Sequence, residues 1–195
     1  NDAELEDYAY RVAGSVGEFW TAITLLHELE GGVADTETFD ALGIRFGKAL
    51  QMTNILRDIP ADIALGRCYI PSQRLTEFGL THEDLRNPES ISAFRPLYDS
   101  YLDLACDHYE AAIRYIRMIP RKHRNLRMAC ILPVAIGLDT ISLLRTGNVL
   151  DAGERIKVSR SRIKRIAALS AVGTRFKALE DRLLNKAAAK ARKQL

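Results

Sequence analysis

The chain has 195 residues, 47% hydrophobic and 27% charged, with 28 Lys and Arg against 25 Asp and Glu for a formal net charge of +3. That length supports one domain burying roughly 70% of its unfolded surface, and the composition excludes disordered, collagen-like and disulfide-scaffold classes. A charge of +3 is too small to argue for a nucleic-acid partner, and Cys68, Cys106 and Cys130 lack the C-x-x-C spacing of a zinc or disulfide framework, which suits a reducing compartment.

Strand signals are nearly absent, with no sustained period-two alternation and no Asn-Gly or Asp-Gly hairpin. Helical patterning predicts a first helix from about Glu4 to Glu30, stopped by Gly31-Gly32. A second starts near Thr36, where T-E-T-F-D offers an N-cap. It carries Leu42, Phe46, Leu50 and Ile55 into QMTNILRDIPADIALGRCYIP (51–71). GRCYIPSQ reads as a loop and SQRLTEFG as a short helical piece. Thr81 with His82-Glu83-Asp84 opens a one-turn helix before Asn87-Pro88.

A long helix follows from about Ser90 to Met118, with Pro96 tolerated near its first turns and Pro120 beyond its end. Another covers roughly His123 to Arg145 and stops at Gly147-Asn148. Within it, MACILPVAIGLDTISLL (128–144) is interrupted by Pro133 and Asp139 and reads as a buried helix rather than a membrane span. A last single helix is predicted over about Ser159 to Ala189. The fold class is all-α, one domain. The basic runs KVSRSRIKR and KAAAKARKQ fit a solvated helix face and a basic tail, or else a diphosphate or an anionic membrane surface.

If the second helix continues through the Pro60 region, Gln51, Asn54, Asp58 and Asp62 are spaced 3, 4 and 4 and form one polar stripe. Two carboxylates one turn apart, preceded by an amide, supply what Mg²⁺ takes from a protein when phosphates complete its shell. Arg57 and Arg67 could hold phosphate oxygens. Any surface helix shows the same spacing, so D-x-x-x-D alone is weak. Pro60 removes the hydrogen bond to the Leu56 carbonyl at a cost of about 3 kcal/mol in a helix interior, and it leaves Asp62 free to turn off the Asp58 face.

Ala13, Gly14, Ser15 and Gly17 sit inside a helical pattern, where each Gly costs nearly 1 kcal/mol against Ala. They allow close helix packing or leave room for a ligand. Tyr8, one turn before Val12, is expected on the face of Val12 and Ser15. The four histidines have no metal-ligand spacing, and no nucleophile elbow, P-loop or dinucleotide fingerprint is present.

YAYRVAGSVG (8–17), GKALQMTNILRDIPADIALGRCYIP (47–71) and ERIKVSRSRIK (154–164) together resemble the squalene and phytoene synthase family, whose enzymes condense two prenyl diphosphates head to head. The resemblance implies an all-α isoprenoid-synthase fold around an apolar cavity, with residues 1–195 as its C-terminal two-thirds. It implies Asn54, Asp58 and Asp62 as Mg²⁺ ligands, Asp58, Asp62 and Tyr8 as catalytic residues, and Gln51, Arg57, Arg67 and Arg155 at the diphosphates. Val12, Val16, Phe19, Phe46, Leu50, Ile131, Leu132 and Ile136 would line the cavity, and the small residues of VAGSVG would leave space for a prenyl tail.

The chain departs from the pattern at Ala61, where the family often has Glu, and at Gly137, where it often has an aromatic. The family's other Asp-x-x-x-Asp, expected upstream of Y-x-Y, is not in these 195 residues. The implied reaction joins two farnesyl diphosphates to presqualene diphosphate or squalene, with NADPH entering only for a reductive step. Alternatives are a phytoene or dehydrosqualene synthase, or a non-catalytic prenyl-diphosphate binder. The expected location is cytoplasmic, with peripheral contact at a membrane surface.

Overall fold

A computed structural model describes residues 1–29, 32–154 and 156–193, and every regular element among them is helical. Helix α1 (Asp2–Ala9) runs through a π-helical turn at Tyr10–Gly14 into α2 (Ser15–His27). The predicted stop at Glu30 and Gly31 lies outside the described residues. Then follow α3 (Thr36–Arg57), α4 (Ile59–Ala64), α5 (Ser72–Glu77), two 3₁₀ turns (Asp84–Arg86 and Pro88–Ser90), α6 (Ile91–Met118) and α7 (Arg124–Leu144). The predicted last helix is two, α8 (Arg160–Gly173) and α9 (Lys177–Arg192), folded into a hairpin. Gly173 permits the fold-back, since a Cβ there would meet the Glu180 backbone at 3.3 Å.

Helix α3 is the centre. It packs on α6 along most of its length, and on α2 and α7, while α9 closes the far side against α7 and α8. Three tyrosines of α6 explain how so much polar surface enters the core. Tyr98, Tyr109 and Tyr115 are fully buried, and each hydroxyl has a partner, as buried hydroxyls require. Tyr98 donates to the Leu56 carbonyl at 2.9 Å, Tyr109 pairs with Thr53 at 2.8 Å, and Tyr115 accepts from Thr21 at 3.2 Å. Tyr109 also accounts for Gly137: a Cβ at that glycine would fall 1.8 Å from the Tyr109 hydroxyl oxygen. An aromatic from α6 occupies the space an aromatic of α7 would need.

Helix α7 is long and apolar enough to cross a membrane, yet most of its apolar stretch is buried inside the fold, as expected of a core helix. Its Asp139 is held by Arg162 of α8 at 2.5 and 3.0 Å. Arg127, at the other end, pairs with the buried Glu180 of α9 and donates to the Ile116 carbonyl at 2.7 Å, capping the end of α6.

Of the small residues read as either packing or ligand space, Gly14 and Gly17 sit in tight helix contacts, and Ala13 and Gly17 also border an apolar groove. A Cβ on Gly17 would stand 2.1 Å from the Gly43 carbonyl oxygen, and one on Gly47 would stand 2.0 Å from that of Ala13. Backbone lies on backbone where α2 and the π-helical turn cross α3. Gly47→Ala is therefore expected to cost about 1–3 kcal/mol or more by overpacking, read as a Tm lowered by about 2–4 °C per kcal/mol in thermal denaturation followed by circular dichroism.

Helix α1 buries Leu5 and Ala9 in the core and is tied down further by the charged contacts of Glu6. Arg45 Nε donates to His108 Nδ1 at 3.3 Å, so Nε2 carries the proton and faces Glu6 at 3.1 Å, and Lys48 reaches the other Glu6 oxygen at 2.6 Å. The His108 hydrogen bond, aided by Lys48 against partial burial, lowers the Glu6 pKa from 4.5 to about 2. A depressed folded-state value stabilises above the unfolded pKa and loses that contribution as pH falls from 4.5 towards 2. Glu6→Gln should flatten the decline of Tm across that acid range while lowering Tm at neutral pH.

Candidate active site

The polar stripe expected across residues 51–62 is broken. Helix α3 ends at Arg57, and Asp58 leaves helical geometry at φ −99°, ψ 15° before α4 begins at Ile59. Pro60 does not kink a continuous helix. It stands in the first turn of α4, where its missing N–H has no intrahelical partner to lose. The carbonyl that Pro60 leaves without an N–H partner, Leu56, is the one that accepts from the buried Tyr98 hydroxyl. Burial pushes the Tyr98 pKa well above its ordinary value, so this group stays a neutral donor.

The junction sends its two aspartates to different places. Asp58 faces a cleft of about 870 Å³ between the α3–α4 junction, α7 and the loop leading to α8. Its carboxylate is taken in fork fashion by Arg57, at 2.8 and 2.5 Å, which holds that guanidinium more firmly protonated. Asp151, Glu154 and Lys157 of the loop line the same cleft, with Ile136 and Thr140 of α7. Arg155 lies outside the described residues.

Asp62 turns to the other side of α4, beside Arg67, Cys68 and Tyr69. Burial and the negative charge of Asp58 raise its pKa, and Arg67 opposes them. Tyr8 stacks on Tyr69 with ring centroids 4.8 Å apart. The Tyr69 hydroxyl and burial push the Tyr8 pKa up to about 12. Contrary to expectation, Tyr8 does not share the face of Val12: the π-helical turn between them adds a residue to one turn and shifts the phase. Gln51 is half-buried and Asn54 exposed, on the last two turns of α3, and neither lines the cleft.

Val12 and Val16 line a second, apolar groove of about 400 Å³ with Trp20, Phe46, Leu50 and Pro133, floored by Tyr115. Of the other cavity expectations, Phe19 is exposed, Ile131 is buried in the core and Ile136 faces the charged cleft instead. Groove and cleft lie end to end. On α3 the lining passes from Leu50 to Arg57, a rise of about 10 Å, and on α7 from Pro133 to Ile136.

Among the described residues no three acidic, His or Cys groups converge as a self-sufficient metal site. The donors still fit a magnesium ion that takes only one or two carboxylates and completes its shell with phosphate oxygens and water. Asp58 opens on the cleft and offers such a carboxylate, whereas Asp62 stands on the other side of α4 with its pKa raised chiefly by burial. Asp151, Glu154, Lys157 and Tyr69 were not singled out from the sequence. Their only signal was an acid-acid-base spacing of three in a loop and a tyrosine inside G-R-x-Y-x-P.

The family model for squalene/phytoene synthase matches residues 1–162. The chain belongs to the squalene/phytoene synthase family. Among its relatives in that family, it is 37% identical over 128 residues to a bifunctional lycopene cyclase/phytoene synthase of Neurospora crassa, covering 64% of this chain and 21% of that protein. It is 35% identical over 122 residues to a presqualene diphosphate synthase of Rhodopseudomonas palustris, covering 63% and 41% respectively. A squalene synthase (TcSQS) in complex with a ligand superposes with TM-score 0.83 at 19% identity, over 98% of this chain and 54% of that one, which establishes the fold alone. A dehydrosqualene synthase in complex with a ligand has TM-score 0.70 at 25% identity, over 90% and 58%. The chain thus spans less than half the length of these two curated relatives and little more than half of these solved chains.

The Tyr98–Leu56 hydrogen bond can be tested with a thermodynamic cycle. Tyr98→Phe strands a buried carbonyl and should cost about 1–3 kcal/mol in denaturant unfolding. In a Pro60→Ala background, where a backbone N–H competes for that carbonyl, the cost should shrink measurably.

Proposed function

We propose that this site serves a magnesium-dependent transferase that condenses two farnesyl diphosphates head to head to presqualene diphosphate or squalene. The observation that carries the reading is the succession of apolar groove and charged cleft along α3 and α7. An amphiphile with an oily tail and a diphosphate head matches that polarity in order. Family membership supports the same chemistry.

The groove residues Val12, Val16, Phe46 and Leu50 take the prenyl chain and keep water from the allylic carbon after the diphosphate departs. At the mouth, Arg57 and Lys157 supply cations for phosphate oxygens, and Arg57 is the better shaped for bidentate contact. Arg57 now spends its donors on Asp58. A bound diphosphate draws the guanidinium to itself and releases the carboxylate for a divalent cation. Of the three expected ligands only Asp58 faces the cleft, so Asp58 would hold that cation together with phosphate oxygens and water, and when bound it neutralises the leaving group as a Lewis acid. Tyr8, with its pKa near 12, keeps its proton at neutral pH and offers a hydroxyl dipole beside Asp62 rather than a phenolate base.

A second reading, condensation of the longer geranylgeranyl diphosphate to phytoene, is favoured by relatives such as the 15-cis-phytoene synthase of Synechocystis, 37% identical over 127 residues. The intact protein, incubated with radiolabelled farnesyl or geranylgeranyl diphosphate and Mg²⁺, with and without NADPH, separates these products. Asp58→Asn should lower turnover at least about a hundredfold and weaken Mg²⁺-dependent binding of a non-ionisable prenyl diphosphate analogue in calorimetry. Tight, Mg²⁺-dependent binding with no product from either substrate would replace the transferase by a prenyl-diphosphate-binding protein. Near-normal turnover by Asp58→Asn would remove Asp58 from the site.

A further inference from the structure

Charge is divided along this chain. Residues 157–195 carry twelve Lys and Arg against two Asp and Glu, whereas residues 1–156 carry 16 against 23. The excess falls on the α8–α9 hairpin, and much of it has no internal use. Arg162 and Arg192 are consumed by Asp139, Asp107 and Glu110. Lys164, Arg165, Arg175, Lys177, Arg182 and Lys186 are exposed and make no ion pair among the described residues.

The tip of the same hairpin is apolar where it should be polar. Phe176 is 61% exposed and Val172 46%. Lys164, Arg165, Ala168 and Val172 recur at helical spacing on the outer face of α8 and lead directly to Phe176 in the turn. The exposure is not a frayed end. The Arg175 and Phe176 N–H groups bond the Val172 and Gly173 carbonyls at 3.0 Å, and Arg121 of the core donates to the carbonyls of Gly173 and Thr174 at 3.3 and 3.1 Å. A fixed aromatic knob is held outward between Arg175 and Lys177, which make no ion pair among the described residues.

We propose that the α8–α9 hairpin docks the protein on an anionic lipid surface, with Phe176 and Val172 entering the headgroup boundary and Lys164, Arg165, Arg175 and Lys177 meeting lipid phosphates. A basic surface with an apolar insertion point is the combination that binds peripherally to acidic bilayers. Charge selects this face over the other exposed apolar one, the Val16, Phe19 and Leu26 side of α2, which carries Glu18 and no comparable basic cluster. Nucleic acid fits less well, since Phe176 stands alone rather than in a stacking series. The inference stands apart from the proposed transferase activity, because none of these residues lines the groove or the cleft.

The test is sedimentation of the full chain with phosphatidylserine-containing vesicles and with pure phosphatidylcholine vesicles. Binding should require phosphatidylserine and weaken with salt. The double variant Lys164→Glu, Arg165→Glu should lower partitioning at least about tenfold. Val172→Ser with Phe176→Ser should also lower it, with helicity unchanged by circular dichroism. Phe176→Trp should show a blue-shifted emission on vesicles. Four results overturn the proposal: equal binding to neutral vesicles, no vesicle binding at all, retention by both hairpin variants, or loss on Phe19→Ser, Leu26→Ser of α2 instead. Binding to a mixed-sequence DNA duplex in place of vesicles would also overturn it and assign the charge to nucleic acid.

Discussion

The hydrogen bond from the Tyr98 hydroxyl to the Leu56 carbonyl is what allows α3 to end where it does. A helix that runs through the centre of a core cannot stop there without stranding carbonyls, and Pro60 removes the N–H that would otherwise have reached the Leu56 carbonyl. Tyr98 is donated by α6, the helix that packs most extensively on α3, so the break is repaired from inside the core. Once the break is stable, Asp58 is released from helical geometry and Arg57 can fold back onto it. The charged cleft therefore depends on a buried tyrosine that never touches it.

The second organising feature is a change of polarity along two helices. Along α3 the cavity lining passes from Gly43, Phe46, Gly47 and Leu50 to Arg57 and then Asp58, and along α7 from Ala129, Cys130 and Pro133 to Ile136 and Thr140. The close glycine contacts between α2 and α3 bring the apolar wall in, and the loop before α8 brings Asp151, Glu154 and Lys157 to the charged end. No single element contains the site. Its order comes from α3 and α7 traversing groove and cleft in the same sense.

Much of this was legible in the sequence. Apolar periodicity located α3, α6 and α7 within a few residues, and the motif spacing led to the right family. What was not legible depended on partners distant in the chain. Nothing local marks Tyr10–Gly14 as a π-helical turn, so Tyr8 was expected beside Val12 when it stands with Tyr69. The turn at Gly173 was invisible because Thr174, Arg175 and Phe176 are tolerable helix residues; the Glu180 backbone and Arg121 decide it. The choice between packing and ligand space for Gly14 and Gly17 needed the position of α3, which single-chain patterning does not contain. The reach of Arg57 back to its own neighbour Asp58 needed the dihedral angles of the break.

The wide turn at Tyr10–Gly14 has a consequence beyond the placement of one tyrosine. Because it offsets the helix on its two sides, the stretch before it answers to the polar junction and the stretch after it to the oily wall. The two requirements are uncoupled within a single rod. Residues such as Val16 or Trp20 can change and reshape the groove while leaving the Tyr8–Tyr69 stack untouched, a freedom that an uninterrupted helix with one shared face would deny.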